Sequence, residues 1–374
     1  IKQQNKQMKI KTITCHEVYN HGASLQEYAL LNYLKYLGHE SSTIHYKPDY
    51  LSQHFNLWRI SNPRYAKNIF IKTAYLLAKL PERLKMLKRK KNFDAFSEQH
   101  IQATNKLYRT NDELKNDLPD ADAYICGSDQ IWNSFFPNGK DPSFYLDFVP
   151  NNKLKLSYAA SFAIDQLEKD IKGFVKEKVS TLDHISVREP SGVDILKDLG
   201  IERAIQVLDP VFLLKAADWE KISAKPVEDN YIFVYDCDND PLIYQFVKKM
   251  QKRLNCRIVT VNNNIKYANV DYSLEGPDVF LSLINNAKFV VSNSFHAVAF
   301  SIIFQKQFTV FNRFEKINTR MRDVVNLLSI PKALVLDEEQ VRNFKHEINY
   351  TKMQPQLTSL INKSKDYLKT ALQS

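Results

Sequence analysis

Glycine is scarce in this chain, at 8 of 374 residues. A dinucleotide loop or a nucleotide-triphosphate loop needs several glycines close together, and neither G-x-G-x-x-G nor G-x-x-x-x-G-K-[ST] occurs. Cysteine is scarce too. Cys15, Cys126, Cys237 and Cys256 stand far apart and form no C-x-x-C pair, so neither a zinc nor a redox motif is expected. So few thiols in such a length fit a reducing compartment. No run of 18 apolar residues is present, so no membrane-spanning helix is expected. The opening residues, IKQQNKQMKIKTITC, lack the apolar stretch of a secretory signal, and a cytoplasmic location is expected. What is there is ordinary for a globule: 44% apolar and 25% charged residues. That composition excludes disordered, collagenous and disulfide-scaffold classes.

The net charge of +10 is concentrated in one place. Residues 64–91 hold Arg64, Lys67, Lys72, Lys79, Arg83, Lys85, Lys88, Arg89, Lys90 and Lys91 against a single acid, Glu82. The rest is close to neutral. A duplex-binding domain spreads its charge over a folded face, so no nucleic-acid partner is expected. Tyr65, Ile69, Phe70, Tyr75, Leu76 and Leu77 interleave with these cations. The segment reads as an interfacial helix for the inner face of an anionic membrane. The plainer alternative is a solvated helix that pads the first domain.

Short β-branched runs at 10–14, 42–46, 123–126, 156–159, 185–187 and 205–208 read as strands, with helices at 24–37, 167–180 and 192–199. A second block has strands at 231–235, 257–261, 289–292 and 308–311, with helices at 242–254, 278–286 and 297–304. Such alternation argues for parallel sheets covered by helices. The expected fold is α/β, with two Rossmann-like doubly wound domains facing a cleft. They span 8–214 and 229–350, divided by a polar stretch between Leu214 and Asp229. A basic helical insertion is expected at about 49–108. A last helix in 351–374 is expected to cross back to the first domain. Ligands in such sheets bind beyond the carboxyl ends of the strands, so the cleft is the expected site.

Four blocks sit at those strand ends. Tyr19-Asn20-His21-Gly22-Ala23-Ser24-Leu25-Gln26 follows the first strand and opens a helix, where Gly22 permits a tight turn and free N–H groups can hold an anion. A simple cap by Asn20 or Ser24 is the alternative. Cys126-Gly127-Ser128-Asp129-Gln130-Ile131-Trp132-Asn133 mixes polar groups with an indole, a combination that suits a sugar, or it is an ordinary turn. Ser186-Val187-Arg188-Glu189 offers a guanidinium to a phosphate or carboxylate, or Arg188 and Glu189 form a surface pair. Asp209 reads mainly as structural. Val290-Val291-Ser292-Asn293-Ser294-Phe295-His296 places His296 at the start of an apolar helix facing the cleft, where it suits proton transfer, or it is a core histidine. Asp236-x-Asp238-x-Asp240 lacks the glycine and glutamate of a calcium loop and reads as a solvated helix cap, so no metal site is expected.

These blocks, NHGASLQEYAL, CGSDQIWN, ISVREPSG with LDPVFLL, and VVSNSFHAVAFSIIF, resemble in that order the polysaccharide pyruvyl transferase family over residues 20–304. The resemblance implies a GT-B-like fold of two Rossmann domains. It implies transfer of an enolpyruvyl group from phosphoenolpyruvate, as co-substrate, to two hydroxyls of a sugar in a cell-surface polysaccharide precursor, such as one for capsule or exopolysaccharide. It implies no resident cofactor and no metal. Residue by residue, it makes His296 the catalytic histidine, Arg188 a donor-phosphate ligand and Lys316 a donor-binding lysine. The better-known branches carry S-x-R-x-H, whereas here Ser294 holds the arginine's place, so Arg313, Arg320 or Arg322 is expected to supply the missing donor contact. Asn20, Gln26, Ser128, Asp129, Gln130 and Trp132 are the expected contacts to a sugar or lipid-linked saccharide acceptor. Two other readings remain: a nucleotide-sugar glycosyltransferase on the same fold, and a non-catalytic glycan-binding or assembly protein in which Ser294 marks a lost donor site.

Overall fold

The computed structural model describes residues 7–52, 55–58, 60, 65, 68–314 and 319–373. In the first domain β1 (Lys9–Ile13), β2 (Glu40–Thr43), β3 (Ala123–Cys126) and β4 (Leu154–Ser157) pair in parallel in the order β2-β1-β3-β4. Two short strands, β5 (Ser186–Val187) and β6 (Ile205–Gln206), extend this array through bridges from Leu156 to His184 and from Ala160 to Val187. The second domain contains β7 (Tyr231–Tyr235), β8 (Arg257–Thr260), β9 (Val270–Asp271), β10 (Phe289–Ser292), β11 (Phe308–Phe311) and β12 (Leu334–Val335). They form one parallel sheet in the order β12-β11-β10-β7-β8-β9. Both arrays are covered by helices, so the α/β fold with two Rossmann-like sheets is what the chain adopts. β7 and β10 are buried along their whole length, which is why they read as unbroken apolar runs.

Strand order reverses beside the first strand of each domain, between β1 and β3 and between β7 and β10. Loops leaving neighbouring strands diverge at such a reversal and open a crevice at their carboxyl ends. Among the helices that begin earlier than the apolar periodicity suggests, two matter to the crevices. His21–Tyr36 starts before residue 24 because the Asn20 side chain accepts from the Gly22 and Ala23 N–H groups. Phe295–Ile303 starts before residue 297, which puts His296 inside its first turn.

A single apolar cluster crosses between the domains. Leu25 and Ala29 of the first helix are buried with Trp219, Phe280, Ala297 and Phe300. The Trp219 ring meets Phe300 edge-on at 4.9 Å, and its indole N–H donates to the Val211 carbonyl at 3.2 Å. The helix Tyr350–Ala371 runs back across the first domain. Its Tyr367 hydroxyl donates to the Ser157 carbonyl at 2.8 Å, and its Ser364 Oγ accepts from the Leu208 N–H at 2.8 Å.

Much of the basic insertion is one helix, Ile69–His100, with Pro81 inside it. Arg64 and Lys67 lie outside the described residues. The expectation that the whole basic run faces a membrane needs correction. Arg89 donates to the Tyr19 carbonyl at 2.9 Å and to the Ser273 carbonyl, Lys88 pairs with Glu275 at 2.7 Å, and Lys90 pairs with Asp94. Asn92 adds a bond to the Leu274 carbonyl at 2.9 Å. The second half of the helix therefore straps the two domains together. Its first half is different: Phe70, Leu77 and Leu84, seven residues apart, are 81%, 63% and 51% exposed. Among the described residues, no helix is long and apolar enough to cross a membrane.

Because the Trp219 cluster contains residues of both domains, Trp219→Ala is expected to cost about 3–5 kcal/mol. It should shift one common unfolding transition. Urea melts followed by near-UV and far-UV circular dichroism check this, and two separated transitions in the wild type would contradict a shared core.

Candidate active site

Asp209 stands at the centre of the loops that meet in the cleft. It follows β6, is fully buried, and holds the next turn by accepting from the Val211 N–H at 3.1 Å. Its Oδ2 accepts from Arg188 Nη1 at 2.7 Å and from the Ser128 hydroxyl at 3.3 Å, and lies 3.6 Å from His296 Nε2. The last distance is too long for a hydrogen bond. His296 Nε2 is thus buried with no hydrogen-bond partner. Burial alone would raise the Asp209 carboxyl; His296 and then Arg188 outweigh it and hold the group well below the usual carboxylate range.

The Nδ1 side of the His296 ring meets the start of the first helix. A Cβ built on Gly22 would stand 1.9 Å from His296 Nδ1. Only glycine fits there, so the first turns of two helices, one from each domain, abut at this point. Both helix N-termini direct partial positive charge into the cleft.

Arg188 is buried, which corrects the surface-pair alternative. Its Nε donates to Glu189 Oε1 at 3.0 Å, and that oxygen also accepts from the Ser161 hydroxyl at 2.6 Å. The guanidinium stacks over the Phe295 ring at 4.5 Å, and Nη2, 3.9 Å from Asp129, has no hydrogen-bond partner. Burial opposes its charge; Glu189, Asp209 and Asp129 outweigh burial, so its pKa lies above the usual arginine value.

The three arginines weighed as replacements for the residue at 294 are now distinguishable. Arg313 forms an ion pair with Asp238 at 3.0 Å. Arg322 bonds Asp165 at 2.7 Å and Asp323 at 3.1 Å, and Asp323 accepts from the Ser191 hydroxyl at 2.9 Å, so Arg322 belongs to a strut between the domains. Arg320, on the helix Thr319–Leu327, is 7% exposed and its Nε has no hydrogen-bond partner. Burial, and after it the charge of Arg188, push its pKa down to about 10. Ser294 is the N-cap residue of the His296 helix and makes no capping bond through its side chain. Lys316 lies outside the described residues.

Several expected acceptor contacts are committed inside the protein. Gln26 is fully buried, donates to Thr14 Oγ1 at 3.0 Å and accepts from the Ser128 N–H at 3.0 Å, tying the loop after β1 to the loop after β3. Ser128 is fully buried and donates to the Ala159 carbonyl at 2.7 Å. Trp132 is fully buried, stacked on Tyr145 at 5.4 Å with its N–H on the Phe144 carbonyl, so it presents no face to a sugar. Asn20 is exposed but caps its helix. Asp129 and Gln130 are half-buried; Asp129 has φ +67°, and Gln130 Oε1 accepts from Asn133 at 3.0 Å. The Asp236 loop is not solvated: Asp236 is buried and accepts from the Asp238 and Asp240 N–H groups, while Asp240 caps the next helix at Leu242. Sequence reasoning missed the central role of Asp209 and the close approach at Gly22. The position of Asp209 at a strand's carboxyl end was the available signal for the first.

The Asp209 carboxylate stabilises the fold only while ionised. Its folded pKa is depressed, so its contribution is complete above about pH 5 and is lost as pH falls through the folded value. Asp209→Asn is therefore expected to cost about 3–5 kcal/mol at neutral pH, since it removes one of the two carboxylates that neutralise a buried arginine. That gap should narrow below about pH 4. Denaturant melts across pH measure this, and a gap constant into acid would contradict it.

A family model described as polysaccharide pyruvyl transferase matches residues 20–313. No curated protein matches the chain. Similar solved structures include a UDP-N-acetylglucosamine 2-epimerase from Rickettsia bellii, at 12% identity and TM-score 0.48 over 98% of this chain and 97% of that one. Another is a UDP-GlcNAc 2-epimerase from Neisseria meningitidis, at 12% identity and TM-score 0.44 over 97% and 94%. An alpha-glucosyltransferase in complex with UDP and DNA is similar at 10% identity and TM-score 0.45 over 98% and 95%. With four-fifths of its length matched by the family model, the chain belongs to the polysaccharide pyruvyl transferase family.

Proposed function

We propose that this protein forms a pyruvate ketal across two hydroxyls of a sugar in a lipid-linked precursor of a cell-surface polysaccharide, with phosphoenolpyruvate as donor. The observation that supports this donor is Arg320, a buried guanidinium with an unpartnered Nε, close enough to Arg188 to feel its charge. A buried cation without a partner is costly, and a dianionic phosphate with an adjacent carboxylate would complete it. In the proposed reaction His296 delivers a proton to the methylene carbon. The adjacent carbon becomes electrophilic and a sugar hydroxyl attacks it, giving up its own proton. The second hydroxyl then displaces phosphate, which carries off that hydroxyl's proton, and the ketal closes. Asp209 positions Arg188 and places a negative charge beside His296, and Arg188 with Arg320 neutralises the donor. This chemistry calls on no resident cofactor. Asp129 and Gln130 remain as acceptor contacts, with the acceptor entering on the cytoplasmic side.

The experiment is phosphate release from phosphoenolpyruvate over a panel of lipid-linked saccharides. His296→Ala is expected to keep the fold and lose about 10²–10⁴ in rate, the usual worth of general acid catalysis. Arg320→Met, which keeps the buried volume, is expected to raise the KM for phosphoenolpyruvate with little change in circular dichroism. Turnover of a nucleoside-diphosphate sugar in its place would establish a glycosyltransferase. Glycan binding without turnover of any donor would establish a non-catalytic protein.

The same reading places the enzyme on the inner face of an anionic membrane. The exposed Phe70, Leu77 and Leu84 line one side of their helix near the exposed Lys72, Lys79 and Lys85, the composition of an interfacial helix. Each lysine near an anionic surface is worth about 1 kcal/mol. Co-sedimentation with anionic vesicles is expected to exceed that with neutral ones and to fall at high salt. Replacing Phe70, Leu77 and Leu84 by Ser should abolish it. Equal binding to both vesicle types would overturn this placement.

A further inference from the structure

We propose that His16, Glu17 and His45 form a binding site for one divalent transition-metal cation, of the zinc class, where the loops after β1 and β2 meet. One ligand atom from each of the three lies within 4.8 Å of the other two. His16 Nε2 is 3.7 Å from Glu17 Oε1, and His45 Nε2 is 3.9 Å from Glu17 Oε2. In a tetrahedral site with bonds of about 2.0–2.2 Å, neighbouring ligand atoms stand roughly 3.3–3.6 Å apart. Closing the wider of these separations to that spacing calls for rotation of the partly exposed His45 and Glu17 side chains.

Three observations point to a cation rather than to a chance cluster. First, His16 Nε2 and His45 Nε2 are both buried atoms with no hydrogen-bond partner. Buried polar atoms are rarely left so, and a metal ion satisfies both imidazoles at once. Second, His16 is already oriented as a ligand. Its Nδ1 lies 2.9 Å from Oε1 of the buried Glu27, and the two side chains are each 2% exposed. A carboxylate on one imidazole nitrogen fixes the tautomer that leaves the other nitrogen's lone pair free for a metal. Third, Glu17 has φ +49°, a left-handed backbone that a non-glycine residue adopts at some cost and that concentrates at functional sites. Lys47 contacts Glu17 Oε2, which leaves Oε1, the oxygen nearer His16, for the ion.

Two imidazoles with one carboxylate favour zinc, cobalt or nickel over magnesium or calcium. Three protein ligands leave a fourth position open, and His45 and Glu17 are the partly exposed members that give access to it. The two histidines stand far apart in the sequence, so no short motif announces the site. Cysteine spacing and the aspartates at 236, 238 and 240 were the signals behind the expectation of no metal, and neither carries information about a histidine–carboxylate set. The ion would clip the loop after β1, which leads through Asn20 into Gly22 and so to the contact with His296. It takes no part in the ketal chemistry.

The test uses the full chain, stripped with a chelator, dialysed, and titrated with Zn²⁺ by calorimetry and with Co²⁺ by visible absorption. One cation per chain is expected, with the intense visible bands of low-coordinate Co²⁺ and a higher melting temperature in the bound form. His45→Ala and Glu17→Gln, at partly exposed positions, should each weaken binding at least tenfold while circular dichroism stays unchanged. Glu27→Gln, which touches no metal, should weaken it by about 10–100-fold. The proposal is overturned if the stripped protein takes up no Zn²⁺ or Co²⁺, if His45→Ala and Glu17→Gln bind as the wild type does, or if Mg²⁺ binds equally well.

Discussion

Residue 22 can carry no Cβ, because His296 of the other domain occupies that space. The arrangement of the cleft follows from this contact and from the apolar cluster beneath it. Leu25 and Ala29, one and two turns further along the same helix, are buried with Trp219, Phe280 and Ala297. The helix that starts at the β1 crevice is thus wedged into the second domain. Its N-terminus is aimed at the N-terminus of the helix that starts at the β10 crevice. The two strand-order reversals, each an ordinary ligand position in a single sheet, are made to face each other. Interdomain interfaces that are large and apolar restrain relative motion. Opening this cleft as a hinge would expose that cluster and break the strap that Arg89 and Asn92 form with the loop around Ser273 and Leu274.

Into this fixed geometry the chain places more charge than an interior normally tolerates. Arg188 is balanced, since Asp209 and Glu189 accept from it at 2.7 and 3.0 Å. The balance is a shared one. Asp209 serves Arg188, Ser128 and the neighbourhood of His296 at the same time, so its single negative charge cannot fully satisfy any of them. Arg320 then adds a second guanidinium whose Nε has no hydrogen-bond partner, and whose pKa has come down to about 10. A shift of that sign means that the cation is held in an environment that disfavours it. Buried ion clusters contribute little net stability when complete and cost several kcal/mol when a partner is missing. An arrangement of this kind suits a protein that binds an anion there, because the ligand supplies what the chain leaves out.

Four strands, Ala123–Cys126, Tyr231–Tyr235, Phe289–Ser292 and Phe308–Phe311, were legible to the residue, because a strand buried on both faces is an apolar run with polar ends. The four site blocks were legible as loops at strand ends for the same reason. Which side chains of those loops face the cleft was not. C-G-S-D-Q-I-W-N reads as a polar turn carrying an exposed indole. The structure folds Trp132 onto Tyr145, some way along the chain, and a local pattern contains nothing about that partner. Gln26 was misread in the same way. Its amide bridges Thr14 and Ser128, residues of two different loops, and only the parallel pairing of β1 with β3 brings those loops together. The basic run shows the opposite limit. Its charge count was correct, but Lys88, Arg89 and Lys90 have protein partners that composition cannot reveal.

Ser294 is where the chain departs from the pattern of its better-known relatives, and the structure gives the departure a physical setting. Position 294 precedes the His296 helix, so an arginine there would reach the donor from a loop beside an N-terminus that already repels cations. Of the arginines near enough to stand in, Arg313 is paired with Asp238, and Arg322 is fixed between Asp165 and Asp323. Arg320 alone has a buried nitrogen without a hydrogen-bond partner, and it projects from a packed helix rather than a loop. Under the proposed donor assignment, moving the charge from residue 294 to residue 320 would keep the number of cations at the donor while changing what holds them in place. A helix-borne side chain loses less freedom when it binds, because its rotamer is already limited by packing. The cost is transferred to the empty state, in which Arg188 and Arg320 repel each other with no anion between them. Such an exchange would trade stability of the ligand-free protein for a more rigid site, and it would make a serine at position 294 compatible with the proposed anionic donor.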